Sequence, residues 1–234
     1  MKVETLEKLN DARQDSRPSV LITDIKNGDQ SVVIEGDWFG EVAGSIILND
    51  NAARILREDR ARTVESDGRQ FFVQPFNPPL RLIVVGAVHI SQALVPMAAL
   101  AGYAVTVIDP RRGFANDERF PNVTLLDAWP DEGLSELAPD ARTAVVTLTH
   151  DPKLDDPALD VALRSDAFYV AALGSKRTHA ARLERLTALG HDQAALDRIH
   201  GPAGLPLGAV SPAEIAVSVL GQMTQVLRRR DDAA

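Results

Sequence analysis

The sequence predicts an α/β protein: a doubly wound parallel sheet preceded by a smaller, mostly β N-terminal domain. Three observations predict it. Beyond residue 80, apolar runs alternate with helical patterns, the texture of parallel strands joined by helices. Before residue 79, short strands and turn residues dominate, with Asn27-Gly28 reading as a hairpin turn. Between the two, Asn77-Pro78-Pro79 stiffens the chain and forbids a continuing helix. The boundary follows: residues 1–79 form a small α+β N-terminal domain and residues 80–234 the sheet domain.

The N-terminal domain opens with Val3, Leu6 and Leu9 at helical spacing, a short amphipathic helix over 3–12 closed by Pro18. Strands are expected at 20–25 and 31–35, with Gly36 and Gly40 turning the chain around Trp38-Phe39. A helix over 50–60 and a strand over 70–76 complete the domain. In the second domain the expected strands are 81–85, 104–109, 123–126, 143–149 and 168–173. The helices between and after them span 90–101, closed by Gly102, then 157–165, 178–189 and 211–230. Pro96 falls inside the first and conflicts with it. The last has Ser211 as N-cap, Pro212 at N1 and Glu214 at N3, a capping box, with Arg228, Arg229 and Arg230 at the end where the dipole favours cations.

Composition narrows the function. The 234 residues carry 25 Lys+Arg against 33 Asp+Glu, a net charge of −8, which repels polyanions and argues against nucleic acid. Ten basic and 14 acidic residues precede Leu80, and 15 and 19 follow it, so neither half is a charged tail. With no cysteine, disulfides, thiolate zinc sites, iron–sulfur clusters and a cysteine nucleophile drop out together. The first ten residues mix charge with apolar side chains and lack a signal-peptide core, and no apolar run is long enough for a bilayer. A cytoplasmic protein without membrane partners is the expectation.

The run 82–85, Leu-Ile-Val-Val, turns at Gly86-Ala87-Val88-His89 into a helix, where a Rossmann-like fold offers backbone N–H groups to a phosphate. Asp109 ends the next strand, 23 residues after Gly86, at the place of an acid that meets a ribose hydroxyl. Val88 and Ser91 occupy the second and third fingerprint positions, and the Val88 methyls stand in the pyrophosphate approach, so NAD(P) is disfavoured. A structural strand-turn-helix is an equal reading.

Gly174-Ser175-Lys176-Arg177-Thr178 follows an apolar strand and opens a helix, a phosphate cradle of N–H groups, hydroxyls and two cations. Simple solvation of the two cations is the bland alternative. His150-Asp151, with Asp155, lies on the carboxyl edge of the sheet, and either a ligand contact or a loop cap suits it. His89 is open to the same two readings. His179, His191 and His200 lack partners at suggestive spacing and read as surface or packing residues, and Trp38 and Trp129 as core or interface aromatics. Four glycines in 201–209 either let backbone approach a ligand or permit tight turns.

Several blocks in order carry a resemblance over residues 80–222: 79–87 with His89, 105–111, Arg119-Phe120-Pro121, Thr149-His150-Asp151 with Asp155, 172–177, 201–209 and 211–216. Together they resemble the Rossmann-type domain of the XdhC/CoxI family, accessory factors of molybdenum hydroxylases such as xanthine dehydrogenase. The resemblance implies a chaperone without turnover of its own, which binds molybdenum cofactor (molybdopterin), assists its sulfuration and passes it to the apoenzyme. The implied partners are that molybdenum hydroxylase apoenzyme and a cysteine desulfurase-type sulfur donor, with a homodimer left open. The implied cofactor-binding residues are Gly86, Ala87, Val88, His89, Asp109 and Arg111, then His150, Asp151, Gly174, Ser175, Lys176, Arg177 and Gly204, with no metal ligand. Family members commonly carry a Gly-Gly-Cys-Val-Glu motif in the N-terminal domain, and here Ile46 stands at the thiol and Leu48 at the carboxylate. Two other readings remain: an NAD(P)-binding oxidoreductase, which lacks an evident proton-relay pair, and a regulatory protein that binds partners without cofactor.

Overall fold

The computed structural model describes residues 2–229. Arg230, expected at the end of the last helix, lies outside the described residues. The chain divides into two compact units, Met1–Pro78 and Pro79–Ala234.

The first unit runs α1 (Val3–Gln14), β1 (Ser19–Asp24), β2 (Gln30–Ile34), β3 (Asp37–Gly40), α2 (Ile46–Glu58), β4 (Arg62–Ser66) and β5 (Arg69–Phe76). Its antiparallel sheet has the order β3-β2-β1-β5-β4. Alternation along the strands serves two helices: Val20, Ile22 and Val73 pack with Leu48, Ala52 and Ile55 of α2, while Leu21, Val32 and Ile34 pack with Leu9 and Ala12 of α1. The helix expected over 50–60 starts four residues earlier, because the Ser45 hydroxyl accepts the Leu48 N–H and caps it there. The edge strands β3 and β4 were not expected. Each is short, and β4 is largely exposed, so neither has the apolar run of a buried strand.

The second unit runs β6 (Leu80–Val85), α3 (His89–Leu100), β7 (Tyr103–Ile108), β8 (Thr124–Leu126), α4 (Pro130–Leu137), β9 (Thr143–Thr147), α5 (Pro152–Leu163), β10 (Tyr169–Ala172), α6 (Lys176–Ala188), α7 (Gln193–Leu196), β11 (Ile199–His200) and α8 (Pro212–Arg229). Its sheet is parallel throughout, in the order β11-β10-β9-β6-β7-β8. Val84, Val146 and Ala171 face α3 and α8; Ile83, Val145 and Val170 face α5 and α6. Buried on both faces, these strands read as continuous apolar runs.

Several elements differ from expectation. The helix expected over 157–165 begins at Pro152, because the Asp151 carboxylate accepts the Lys153 N–H as N-cap and leaves Pro157 inside the helix. Helix α3 runs unbroken through Pro96, which is exposed, so solvent can serve the carbonyl that lacks its donor. The short α4, α7 and the two-residue β11 were not expected. Trp129 is half exposed rather than core, whereas Trp38 packs against the first unit's core and donates to Asn49. The capping box at Ser211 forms: Glu214 Oε2 accepts the Val210 and Ser211 N–H groups, and Ser211 Oγ accepts the Glu214 N–H. Among the described residues no helix is long and apolar enough to cross a membrane.

Candidate functional site

The parallel sheet reverses its winding between β6 and β9, since β7 and β8 lie on one side of β6 and β9 to β11 on the other. Loops leaving the carboxyl ends of β6 and β9 therefore diverge, which opens the crevice where ligands of such sheets bind. Nine of the thirteen expected site residues lie on the loops after β6, β7, β9 and β10, and His89, Lys176 and Arg177 open the helices that follow them.

Gly86 forms the floor. Its φ is +111°, and a Cβ there would stand 2.6 Å from Thr149 Cγ2, so only glycine lets the two loops start side by side before they part. Ser91 is fully buried, and its hydroxyl donates to Gly86 O at 2.8 Å and Val88 O at 2.7 Å. That hydroxyl staples the turn from a position where a dinucleotide-binding fold carries glycine. Val88 caps α3 by backbone alone, with no side-chain hydrogen bond, and its side chain packs against the core; His89 follows it, exposed.

Asp109 is 1% exposed, and its carboxylate faces inward. Oδ2 accepts the Ala87 N–H at 2.8 Å, and Oδ1 accepts the Arg111 N–H at 2.9 Å. Arg111 adds Nε and Nη2 contacts, each at 2.8 Å, and stacks over Phe114. Against the burial that raises it, Arg111 and the Ala87 N–H hold the carboxyl below its ordinary range. The acid thus occupies the N–H group that the turn would offer to a phosphate. Arg119 braces the same turn from outside, donating to Ala87 O at 2.9 Å, Phe114 O at 2.7 Å and Gln92 Oε1 at 3.1 Å.

A depressed folded pKa means that Asp109 contributes stability above about pH 4, lost as pH falls through the folded value. Asp109→Asn is expected to lower the urea midpoint at pH 7, and the gap from wild type should narrow below about pH 4. A gap constant from pH 7 to pH 3 would show that the carboxylate charge does not hold the turn.

After β9, His150 takes φ +64°, and its backbone N–H donates to Asp155 Oδ2 at 3.1 Å. Thr149 Oγ1 donates to Asp155 Oδ1 at 2.7 Å. Asp155 thus orients the backbone of the loop rather than the imidazole ring, which is exposed beside Asp151. Burial pushes the Asp155 carboxyl above its ordinary range, although Thr149 and Arg182 pull the other way.

After β10, Gly174 sits at φ +143°, and Ser175 Oγ caps α6 through the Thr178 N–H at 3.1 Å. Lys176 and Arg177 are exposed and have no ion-pair partner among the described residues. Gly204 is placed differently. Its bare Cα lies against Ser218 of α8, where a Cβ would stand 2.3 Å from the hydroxyl, and its N–H donates to Gln222 Oε1 at 2.9 Å. Tyr169 OH donates to the same oxygen at 2.6 Å. The glycine at 204 is thus required by packing on α8.

Two histidines read as partnerless have partners distant in the chain. His191 Nε2 lies 2.7 Å from Asp160 Oδ1, and His200 stacks on Tyr169 with ring centroids 4.8 Å apart. Arg182, unremarked in the sequence, is 2% exposed beneath the Gly174 turn. Its signal was an arginine at four-residue spacing between Thr178 and the buried Leu186, on the apolar stripe of α6. Among the described residues no group of three His, Cys, Asp or Glu side chains is placed to hold a metal ion.

A doubly wound parallel sheet with a glycine-turned strand-to-helix loop at its switch point defines a Rossmann-type α/β protein. Residues 82–223 match the model of the XdhC Rossmann domain, and the chain belongs to that family. It is 33% identical over 159 residues to a Bacillus subtilis protein named as a probable xanthine dehydrogenase subunit, covering 68% of this chain and 46% of the relative. It is 30% identical over 159 residues to the molybdenum cofactor insertion chaperone PaoD of Escherichia coli, covering 68% of this chain and 44% of the relative. The chain therefore spans less than half the length of these curated relatives. A crystal structure from Bacillus halodurans, named a xanthine dehydrogenase, superposes with a TM-score of 0.78 over 99% of this chain and 70% of its own. At 22% identity it shows the fold alone.

Proposed function

We propose that the chain is an accessory factor for a molybdenum hydroxylase such as xanthine dehydrogenase, holding molybdenum cofactor by its phosphate end at the carboxyl edge of the sheet. The observation that carries the reading is the Gly174 to Thr178 turn, where a capped helix start presents the exposed Lys176 and Arg177 on an otherwise acidic protein. The names of the relatives support the cofactor's identity. Bound cofactor supplies molybdenum redox chemistry to the apoenzyme that receives it. The residues of this chain grip, orient and release it. The implied groups at the edge are His89, Arg111, His150 and Asp151 beside the cradle.

Sulfuration belongs to a partner in this reading. The chain has no cysteine, and Ile46, where the family thiol is expected, stands 79% exposed at the start of α2. A cysteine desulfurase-type donor must bring the sulfur, and delivery to the apoenzyme is the step left to this protein. Dinucleotide binding is disfavoured because Asp109, the ribose acid of the fingerprint, is engaged with Ala87 and Arg111. The test is purification from cells that make the cofactor, followed by oxidation and fluorescence identification of any extracted pterin. Stoichiometric pterin is the expected result; nicotinamide dinucleotide in its place would overturn the reading.

A further inference from the structure

Beneath the cradle the helix α6 turns polar groups inward. Arg182 Nη2 donates to Leu173 O at 2.9 Å and lies 3.6 Å from Asp155 Oδ2. Among the described residues its Nε and Nη1 have no hydrogen-bond partner, and neither does the buried Nδ1 of His179, three residues earlier on the same face. Thr147 Oγ1 is also without a partner, and strand alternation points it to the α5 and α6 side with Val145. Buried polar groups in folded proteins are paired, and unmet donors on a buried guanidinium are costly.

The chemistry of the missing partner follows from the donors. A guanidinium only donates and always carries charge, so an acceptor bearing negative charge completes it. Asp155 does not complete it, because its nearest approach is to Nη2, at 3.6 Å, while Nε and Nη1 stay unmet. Helical side chains lean toward the N-terminus, which brings Arg182 from the second turn of α6 up to the Leu173-Gly174 turn. The missing Cβ at Gly174 would lie 3.8 Å from Nη2 and 3.2 Å from Thr178, so glycine keeps the roof over the guanidinium thin. We propose that Arg182 is the inner anion-binding group of a site beneath the Gly174 turn and takes a phosphoryl oxyanion entering at the start of α6. The assignment rests on, and deepens, the cofactor reading: Lys176 and Arg177 are the outer charges, and Arg182 is the inner one.

The test uses the whole chain, labelled with nitrogen-15, and inorganic phosphate as the probe. Arginine Nε–H signals are followed by NMR, and the Arg182 signal is identified by its loss in Arg182→Lys. Phosphate should shift that signal saturably together with the amides of 174–178, and Arg182→Lys should weaken phosphate about ten- to hundred-fold. An unmoved Arg182 signal, or unchanged affinity in Arg182→Lys, overturns the proposal, since the inner groups are then met by water. Should Arg182→Lys fail to fold, added carbon-13 labelling assigns the Nε–H signal through the Arg182 side chain to its backbone amide, and the wild-type titration decides in the same two directions. Pterin recovery separates the two ideas. Arg182-dependent phosphate binding without recovered pterin removes the cofactor reading alone, and pterin held equally by Arg182→Lys removes this one alone.

Discussion

Gly86→Val lowers the thermal midpoint on the order of ten degrees. Two costs add. The backbone at φ +111° strains any residue with a Cβ, about 1–3 kcal/mol, and the new side chain collides with Thr149 Cγ2, 2.6 Å from the Cβ position. Overpacking of that kind costs about 1–3 kcal/mol more, because Thr149 is itself held by Asp155 and cannot swing aside freely. For a chain of this size each kcal/mol moves the midpoint by about 2–4 °C. A scanning calorimetry midpoint equal to wild type would mean that Gly86 and Thr149 do not pack against one another.

Lys176→Ala with Arg177→Ala is expected to weaken molybdenum cofactor binding about ten- to hundred-fold while the midpoint stays within a degree or two. The two side chains are exposed, so their removal costs little folding energy, whereas a bound phosphate loses charge-assisted contacts. The control is Arg228→Ala with Arg229→Ala at the C-terminal end of α8, the same change in net charge away from the cradle. Equal losses in both double variants, read by titration of the purified cofactor, reduce the effect to general electrostatics. No loss in either makes the turn structural.

The doubly wound sheet was legible because strands buried on both faces write themselves as apolar runs: 81–85 and 104–109 fall within one residue of β6 and β7. Elements without such a core signature escaped. β11 has two residues, and α4 makes two turns whose only markers are Pro130 and the acids behind it. Spacing placed Gly86 and Asp109 at the switch point, because strand-turn-helix geometry is local. What Asp109 touches is only partly local: Arg111 is two residues on, but the Ala87 N–H comes from a neighbouring strand's loop. Arg182 carried only its place on the α6 stripe as a signal, and its partners are distant in the chain too. On a helix it looks like any surface arginine until Asp155, on another helix, and the Leu173 carbonyl turn it inward.

The contact between Asp109 and the Ala87 N–H means that the turn after β6 carries its own counter-anion. A tethered carboxylate is present at high effective concentration and never diffuses away, so the turn keeps its shape whether cargo is present or absent. Any free anion arriving there must compete with it, and the affinity it retains is discounted by that competition.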